Sequence, residues 1–253
     1  MSEPTNLTSG QTTPDQGKRG FQLPETPRLI LTLCLAGLVS GLTIVGAYHV
    51  TLPTILENHA RALREAVFEV VPGSERMQRL VLEGEGDGAH LVPAAGVLGE
   101  EPSVYGAYDA SGKFVGYAIP AEGPGFQDTI RLIYGFNPES RRIVGMSVLE
   151  SRETPGLGDR IYKDQNFVHQ FDDLAVEPPV QLVKETPTSP NQVDAITGAT
   201  ISSTAVVTIV RKSNEEWLSK LPPAAQAPPL SATPPEGEGA TTEKGGPIPG
   251  GKS

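Results

Sequence analysis

The sequence predicts an α+β protein: one membrane-spanning helix near the N-terminus, then a single domain with a mainly antiparallel sheet and flanking helices. Three observations predict it. Leu29 to Val50 contains no Asp, Glu, Lys or Arg. Between Ser103 and Leu149, four short runs with the two-residue alternation of strands are separated by turn residues. Apolar residues then fall at helical spacing on either side of that region, over Thr54 to Val71 and again up to about Leu221.

Taken in order, residues 1–27 are rich in Ser, Thr, Pro, Gln and Gly and read as a disordered tail, with Lys18, Arg19 and Arg28 supplying positive charge. The apolar run, bounded here as 28–50, meets the length of about 20 residues that a bilayer requires. Cys34 lies inside it as a small packing residue. A cleaved leader is the competing reading, because Val45-Gly46-Ala47 loosely resembles a cleavage site. The long polar segment before the run and the run's own length favour a retained anchor. Basic residues precede the span, which leans towards an N-terminus inside and the bulk of the chain outside the cytoplasm.

Thr54 to Val71 reads as a helix with Leu63, Val67, Val70 and Val71 on one side, stopped by Pro72-Gly73. With its surroundings it is assigned as a linker over 51–78, leaving 79–221 as the folded domain. Glu83 to Glu101 is Gly-rich and irregular. Ser103 to Tyr108 and Phe114 to Pro120 read as one hairpin around Asp109–Lys113, and Thr129 to Phe136 and Ile143 to Leu149 as a second around Asn137–Ser140. Glu122-Gly123-Pro124-Gly125 reads as a loop between them, Asp159 to Phe171 as a helix capped by Asp159, and Val180 to Val183 as a further strand. Asp172-Asp173 reads as a solvated turn rather than a metal pair. Residues 222–253, dominated by Pro, Gly, Ala, Thr and Glu, are predicted to be disordered.

Composition excludes several functions. A net charge of −10 is the wrong sign for nucleic acid. A single Cys excludes an internal disulfide, a CxxC redox pair and a cysteine-ligated cluster within the chain. The four histidines show no metal spacing, so no metal site is predicted. Any electron carrier here must be an organic cofactor.

Two stretches carry chemistry. Asp194-Ala195-Ile196-Thr197-Gly198-Ala199-Thr200 opens into an amphipathic helix, with Asp194 and Thr197 as cap types and Gly198 permitting close approach of the backbone. A helix start of this kind presents free N–H groups to an anion, but it is also simply how many helices begin. Glu153-Thr154-Pro155-Gly156-Leu157-Gly158 follows a strand and is either an ordinary loop or a surface lying flat against an aromatic ligand.

The run D-x-x-T-G-A-T resembles the flavinylation motif D-x-x-[S/T]-G-A-T of FMN-binding domains. With E-T-P-G-L-G upstream, the chain over Leu29 to Leu221 resembles the G subunit of the Rnf electron-transport complex, which is related to the C subunit of the sodium-pumping NADH:quinone reductase. The two long polar ends depart from the family pattern. The resemblance implies one FMN per chain, joined through its phosphate to Thr200, with no catalytic residue of the chain's own. It implies that Asp194, Thr197, Gly198 and Ala199 shape the phosphate end, and that Thr154, Gly156, Leu157 and Gly158 line the flavin. Glu153 is either a hydrogen-bond partner of the flavin or an exposed loop carboxylate. A threonine hydroxyl is a weak nucleophile without an activating base, so a separate flavin transferase is expected as a partner.

The implied function is electron relay within an ion-translocating ferredoxin:NAD oxidoreductase of the inner membrane, with membrane lipid and other subunits as partners. The flavin domain would lie on the periplasmic or extracytoplasmic side, and little or no substrate turnover is expected alone. The alternatives are a C-type subunit of the sodium pump, a stand-alone flavin reductase, and a colourless membrane-anchored scaffold in which the TGAT stretch only caps a helix.

Overall fold

The computed structural model describes residues 25–84, 90–99 and 101–231. Residues 1–24 of the predicted N-terminal tail and the last part of the predicted C-terminal tail lie outside these residues, whereas residues 25–27, expected in the tail, begin a helix. The chain divides into two compact units, one up to Ile55 and one from Leu56 onward.

Helix α1 runs Glu25–Val70. Among the described residues it is the one helix long and apolar enough to cross a membrane. In its first part large side chains face outward: Leu33 is 72% exposed and Leu42 66%. That is costly in water and favourable in lipid. Its hydroxyls are satisfied within the helix, as an apolar medium demands: Thr32, Thr43 and Thr51 donate to the carbonyls of Arg28, Val39 and Ala47 at 2.8–2.9 Å. The two helices expected from the sequence are thus one, with Pro53 inside it.

From Leu56 onward the chain builds a seven-stranded sheet of order β2-β1-β3-β4-β5-β6-β7, antiparallel at every pairing. The strands are β1 Arg76–Glu83, β2 His90–Pro93, β3 Ser103–Tyr108, β4 Phe114–Pro124, β5 Thr129–Asn137, β6 Arg142–Glu150 and β7 Leu174–Ala175. The predicted hairpins form for a local reason: the Asp109 carboxylate accepts from the Ser111 and Lys113 amides, and Asn137 Oδ1 from those of Glu139 and Ser140.

Alternation sends side chains to two cores. Tyr117, Ile119, Leu132 and Tyr134 join Val206, Ile209, Val210 and Trp217 of α4 (Thr200–Trp217), while Ala118 and Ile133 join Leu63, Ala66, Val67 and Val70 at the end of α1. The sheet therefore lies between two helical layers. Gly135 and Gly145 pair across β5 and β6, and a Cβ on either would lie within 3 Å of the Val70 backbone. Their missing side chains let the end of α1 rest on the strands.

Four sequence expectations need correction. The 51–78 linker is not separate: its helix packs in a core and β1 begins at Arg76. Glu122 to Pro124 belongs to β4 rather than to a loop. The predicted helix from Asp159 to Phe171 is broken into α2 Arg160–Lys163, α3 Gln165–Val168 and a 3₁₀ turn His169–Phe171. Extended Asp164 is the cause, since its carboxylate caps the Asn166 amide and starts a second helix. Finally, the C-terminal tail predicted to be disordered from Pro222 is a strap up to residue 231. Tyr117 and Tyr108 donate to the carbonyls of Pro222 and Pro228, and the Ser231 amide donates to Gln78 Oε1.

Candidate functional site

The last elements before α4 are β8 Gln181–Val183 and β9 Gln192–Asp194, a parallel pair. Asp194 closes β9 and is not the helix cap. Its amide donates to Gln170 Oε1 at 2.6 Å and its carbonyl accepts from Gln170 Nε2 at 3.3 Å. The turn that follows exposes Thr197 and Gly198, and Gly198 sits at φ +84°, a backbone region that L side chains disfavour. Arg160 reaches over from α2 and donates to the Thr197 carbonyl at 2.8 Å.

Buried Ala199 occupies the N-cap and offers no side-chain bond. The turn before the helix is tied to it from within. The Ser203 hydroxyl accepts the Ile196 amide at 3.2 Å and donates to the Ala199 carbonyl at 3.0 Å. Neither Asp194 nor Thr197 makes a side-chain bond to the first amides of α4.

Thr200 is the first residue of α4 and is half-buried. Among the described residues its hydroxyl has no hydrogen-bond partner, and the first helical bond across the cap is made by the Ser203 amide to Ala199. The amides of Thr200, Ile201 and Ser202 are thus left for something else, at the positive end of the helix dipole.

The E-T-P-G-L-G stretch folds as a tight turn beside this helix start. The Thr154 carbonyl accepts from the amides of Leu157 at 3.1 Å and Gly158 at 2.9 Å. Gly156 is exposed and donates to Asp159 Oδ1 at 2.8 Å. Leu157 is 54% exposed, an apolar side chain held in the open. Gly158 is buried, and a Cβ there would lie 2.8 Å from Glu153 Cβ and 2.9 Å from Ser202 Oγ. Asp159 is the base of the turn, with Lys163 Nζ 2.6 Å from its other oxygen, and that bond first of all holds its carboxyl below the usual range.

Glu153 is not an exposed carboxylate: it is 5% exposed, and three protein groups donate to it. Oε1 accepts from the amides of Phe126 at 2.8 Å and Gln127 at 3.1 Å, and Oε2 from the Ser202 hydroxyl at 2.6 Å. It thereby fastens the β4–β5 turn and the first turn of α4 to one point. Phe126, 61% exposed on that turn, and Ile201, 61% exposed on α4, join Leu157 in an apolar rim about the helix start. A groove of about 350 Å³ continues from there between the end of β4 and the Thr204–Thr208 edge of α4.

The structure therefore brings together Thr200, Thr197, Gly198, Ala199, Leu157 and Gly158 about the start of α4, with Asp194 at the end of β9 and Glu153 buried. Sequence reasoning misses Ser202, Ser203, Arg160 and Phe126. The hydroxyl pair Ser202-Ser203, one turn into a helix and followed by apolar residues, is the available signal for the first two.

The chain can be compared with known proteins on this footing. The family described as FMN-binding domain matches residues 125–215, from the β4–β5 turn through α4. The G subunit of the ion-translocating oxidoreductase complex of Methanosarcina acetivorans is 32% identical over 184 residues, which is 72% of this chain and 89% of that protein. The G subunit of the proton-translocating ferredoxin:NAD(+) oxidoreductase complex of Clostridium ljungdahlii is 26% identical, over 73% of this chain and 87% of that protein. The crystal structure of the C subunit of the Na(+)-translocating NADH-quinone reductase from Parabacteroides distasonis matches with a TM-score of 0.51 at 16% identity, over 66% of this chain and 97% of that one. That likeness is one of fold. Free amides, an unpartnered hydroxyl and an apolar rim suit a ligand with a phosphate at one end and a flat ring at the other, as FMN has.

Proposed function

This chain belongs to the family of G subunits of ion-translocating oxidoreductase complexes, and from it we propose a covalent flavoprotein that relays electrons inside such a complex. It is a membrane-anchored electron-transfer subunit with an FMN-binding domain, and its partners are the other subunits of the complex. The covalent bond, its position and the sidedness of the domain are our reading. The observation that carries it is the Thr200 hydroxyl, which among the described residues has no protein partner and stands beside three free amides.

Each residue then has a task. Thr200 would carry the FMN phosphate as an ester, and the amides of Thr200, Ile201 and Ser202 would donate to the remaining phosphate oxygens. Gly198 at φ +84° and exposed Thr197 keep the approach open, and Arg160 adds a cation bonded to that turn. Leu157 and Phe126 offer apolar surface to the ring, while Thr154, Gly156 and Gly158 form the turn that presents Leu157. FMN, when bound, supplies reversible electron uptake. The chain supplies attachment and placement.

Among the described residues the Thr200 hydroxyl has no bonded side chain that could take its proton, so we assign the ester to a separate flavin transferase. We place the N-terminus inside and the flavin domain on the extracytoplasmic side, because Lys18, Arg19 and Arg28 precede the span. A tethered cofactor suits that side, where lost FMN would not be replaced. Within a complex passing electrons between ferredoxin and NAD, this chain would make one intermediate transfer and turn over no substrate alone. We assign residues 28–50 to the bilayer and the unit from Leu56 onward to the flavin-bearing part.

Intact mass and in-gel flavin fluorescence of denatured protein, made together with a flavin transferase, test this. One added FMN is expected in the wild type and in Thr197→Val, and none in Thr200→Val. Attachment that survives Thr200→Val would sink the assignment.

A further inference from the structure

We infer that Glu153 is a buried positioning anion that sets the potential of the flavin through its charge and the segments it holds. The inference rests on the flavin being carried at Thr200.

Three chain segments meet at this one carboxylate. The turn carrying Phe126 is closed by the Gly125 amide donating to the Asp128 carbonyl at 2.9 Å, and it is held to Glu153 through the Phe126 and Gln127 amides. The first turn of α4 is held through Ser202, two residues beyond Thr200. Glu153 itself begins the turn that carries Leu157. The space around it is cut to size, since a Cβ on Gly125 or Gly158 would run into its carboxylate oxygens. One side chain therefore ties together the turn carrying Phe126, the turn carrying Leu157 and the first turn of α4.

Its charge is the second half of the argument. Two backbone amides and a hydroxyl donate to it, which suits an acceptor-only carboxylate. Among the described residues it makes no ion pair. Arg152 is turned to Asp128 and Glu150, and Lys163 to Asp159. Neutral donors stabilise a carboxylate but leave its field in place, and a fixed negative charge in a low-dielectric site disfavours the arrival of an electron nearby. Glu153 therefore lowers the potential of the site.

The test uses the full chain, loaded by a flavin transferase, in three variants. Glu153→Gln has the same shape, can still accept the two amides and can donate to Ser202, but carries no charge. Ser202→Ala keeps the charge and removes one of its donors. Glu153→Ala removes both charge and anchor. Spectroelectrochemical titration is expected to show the potential rising in Glu153→Gln and falling in Ser202→Ala. Amide hydrogen exchange over residues 126–127 is expected to stay slow in Glu153→Gln and to become fast in Glu153→Ala.

A wild-type potential in Glu153→Gln, or shifts of the same sign in the Gln and Ser202→Ala variants, would overturn the role of the charge. Unchanged exchange in Glu153→Ala would overturn the anchoring. A wild-type chain with no flavin mass would overturn the site assignment itself, and this inference with it.

Discussion

Ser203 holds the start of α4 from within, taking the Ile196 amide and giving its proton to the Ala199 carbonyl in a fully buried setting. Ser203→Ala leaves that amide without a partner. The expected loss is about 2 kcal/mol, measured by urea unfolding. Asp159 makes a different demand. Its carboxyl is held below the ordinary 3.8, first by the bond from Lys163 and also by the Gly156 amide. A lowered folded value means that the stabilisation is complete above the unfolded carboxyl range and disappears as pH falls through the lower folded one. Wild type and Asp159→Asn should therefore differ in unfolding midpoint at pH 6, begin to approach each other near pH 3.8, and converge only as pH falls through the lower folded value. Residue-scale chemistry is only half legible in the sequence. Thr200 can be named because its motif resembles a known one, whereas Ser203 cannot: a serine one turn into a helix reads the same whether it caps or merely fills space. The burial of Glu153 is illegible for a related reason. Its burial depends on Phe126, Gln127 and Ser202, which lie far from it in the chain.

Among elements, the end of α1 and the paired glycines of β5 and β6 form the closest contact between layers. Gly135→Ala or Gly145→Ala would press a methyl group into the Val70 backbone, and a loss of about 1–3 kcal/mol is expected by thermal or urea unfolding. The strap over 222–231 is the other decisive element. It is illegible in the sequence because Pro- and Ala-rich composition describes a weak former of regular structure, while the partners that fix it are hydroxyls on β3 and β4. Burial pushes the Tyr108 hydroxyl up to about 12, and those of Tyr117 and Tyr134 also well above the ordinary 10.0. Stability should therefore be level below pH 10 and fall as pH rises towards 12, because the unfolded chain loses these protons first. Tyr108→Phe should flatten that fall, as followed by fluorescence-detected unfolding at stepped pH. The strands β3, β5 and β6, by contrast, are readable almost to the residue, since alternation and Asx turns are local signals, while β4 starts where expected and runs on to Pro124.

At the scale of the whole molecule, a 46-residue helix with large apolar side chains exposed along its first part makes this a protein of the bilayer. The full chain should remain with membranes through an alkaline carbonate wash and be released by detergent. The charge-free run from Leu29 to Val50 already announces this, but its continuation as one helix to Val70 is hidden, because Pro53 reads as a break. The strap has a further consequence, in time rather than in space. Its bonds to Tyr117, Tyr108 and Gln78 span 105, 120 and 153 residues of chain. The helix that bears Thr200 comes immediately before it, while the membrane helix comes first of all. A growing chain is therefore anchored early and finished late, and a product cut short before Pro222 would hold the membrane helix, the sheet and α4 without the strap that ties β1, β3 and β4 to the C-terminal end.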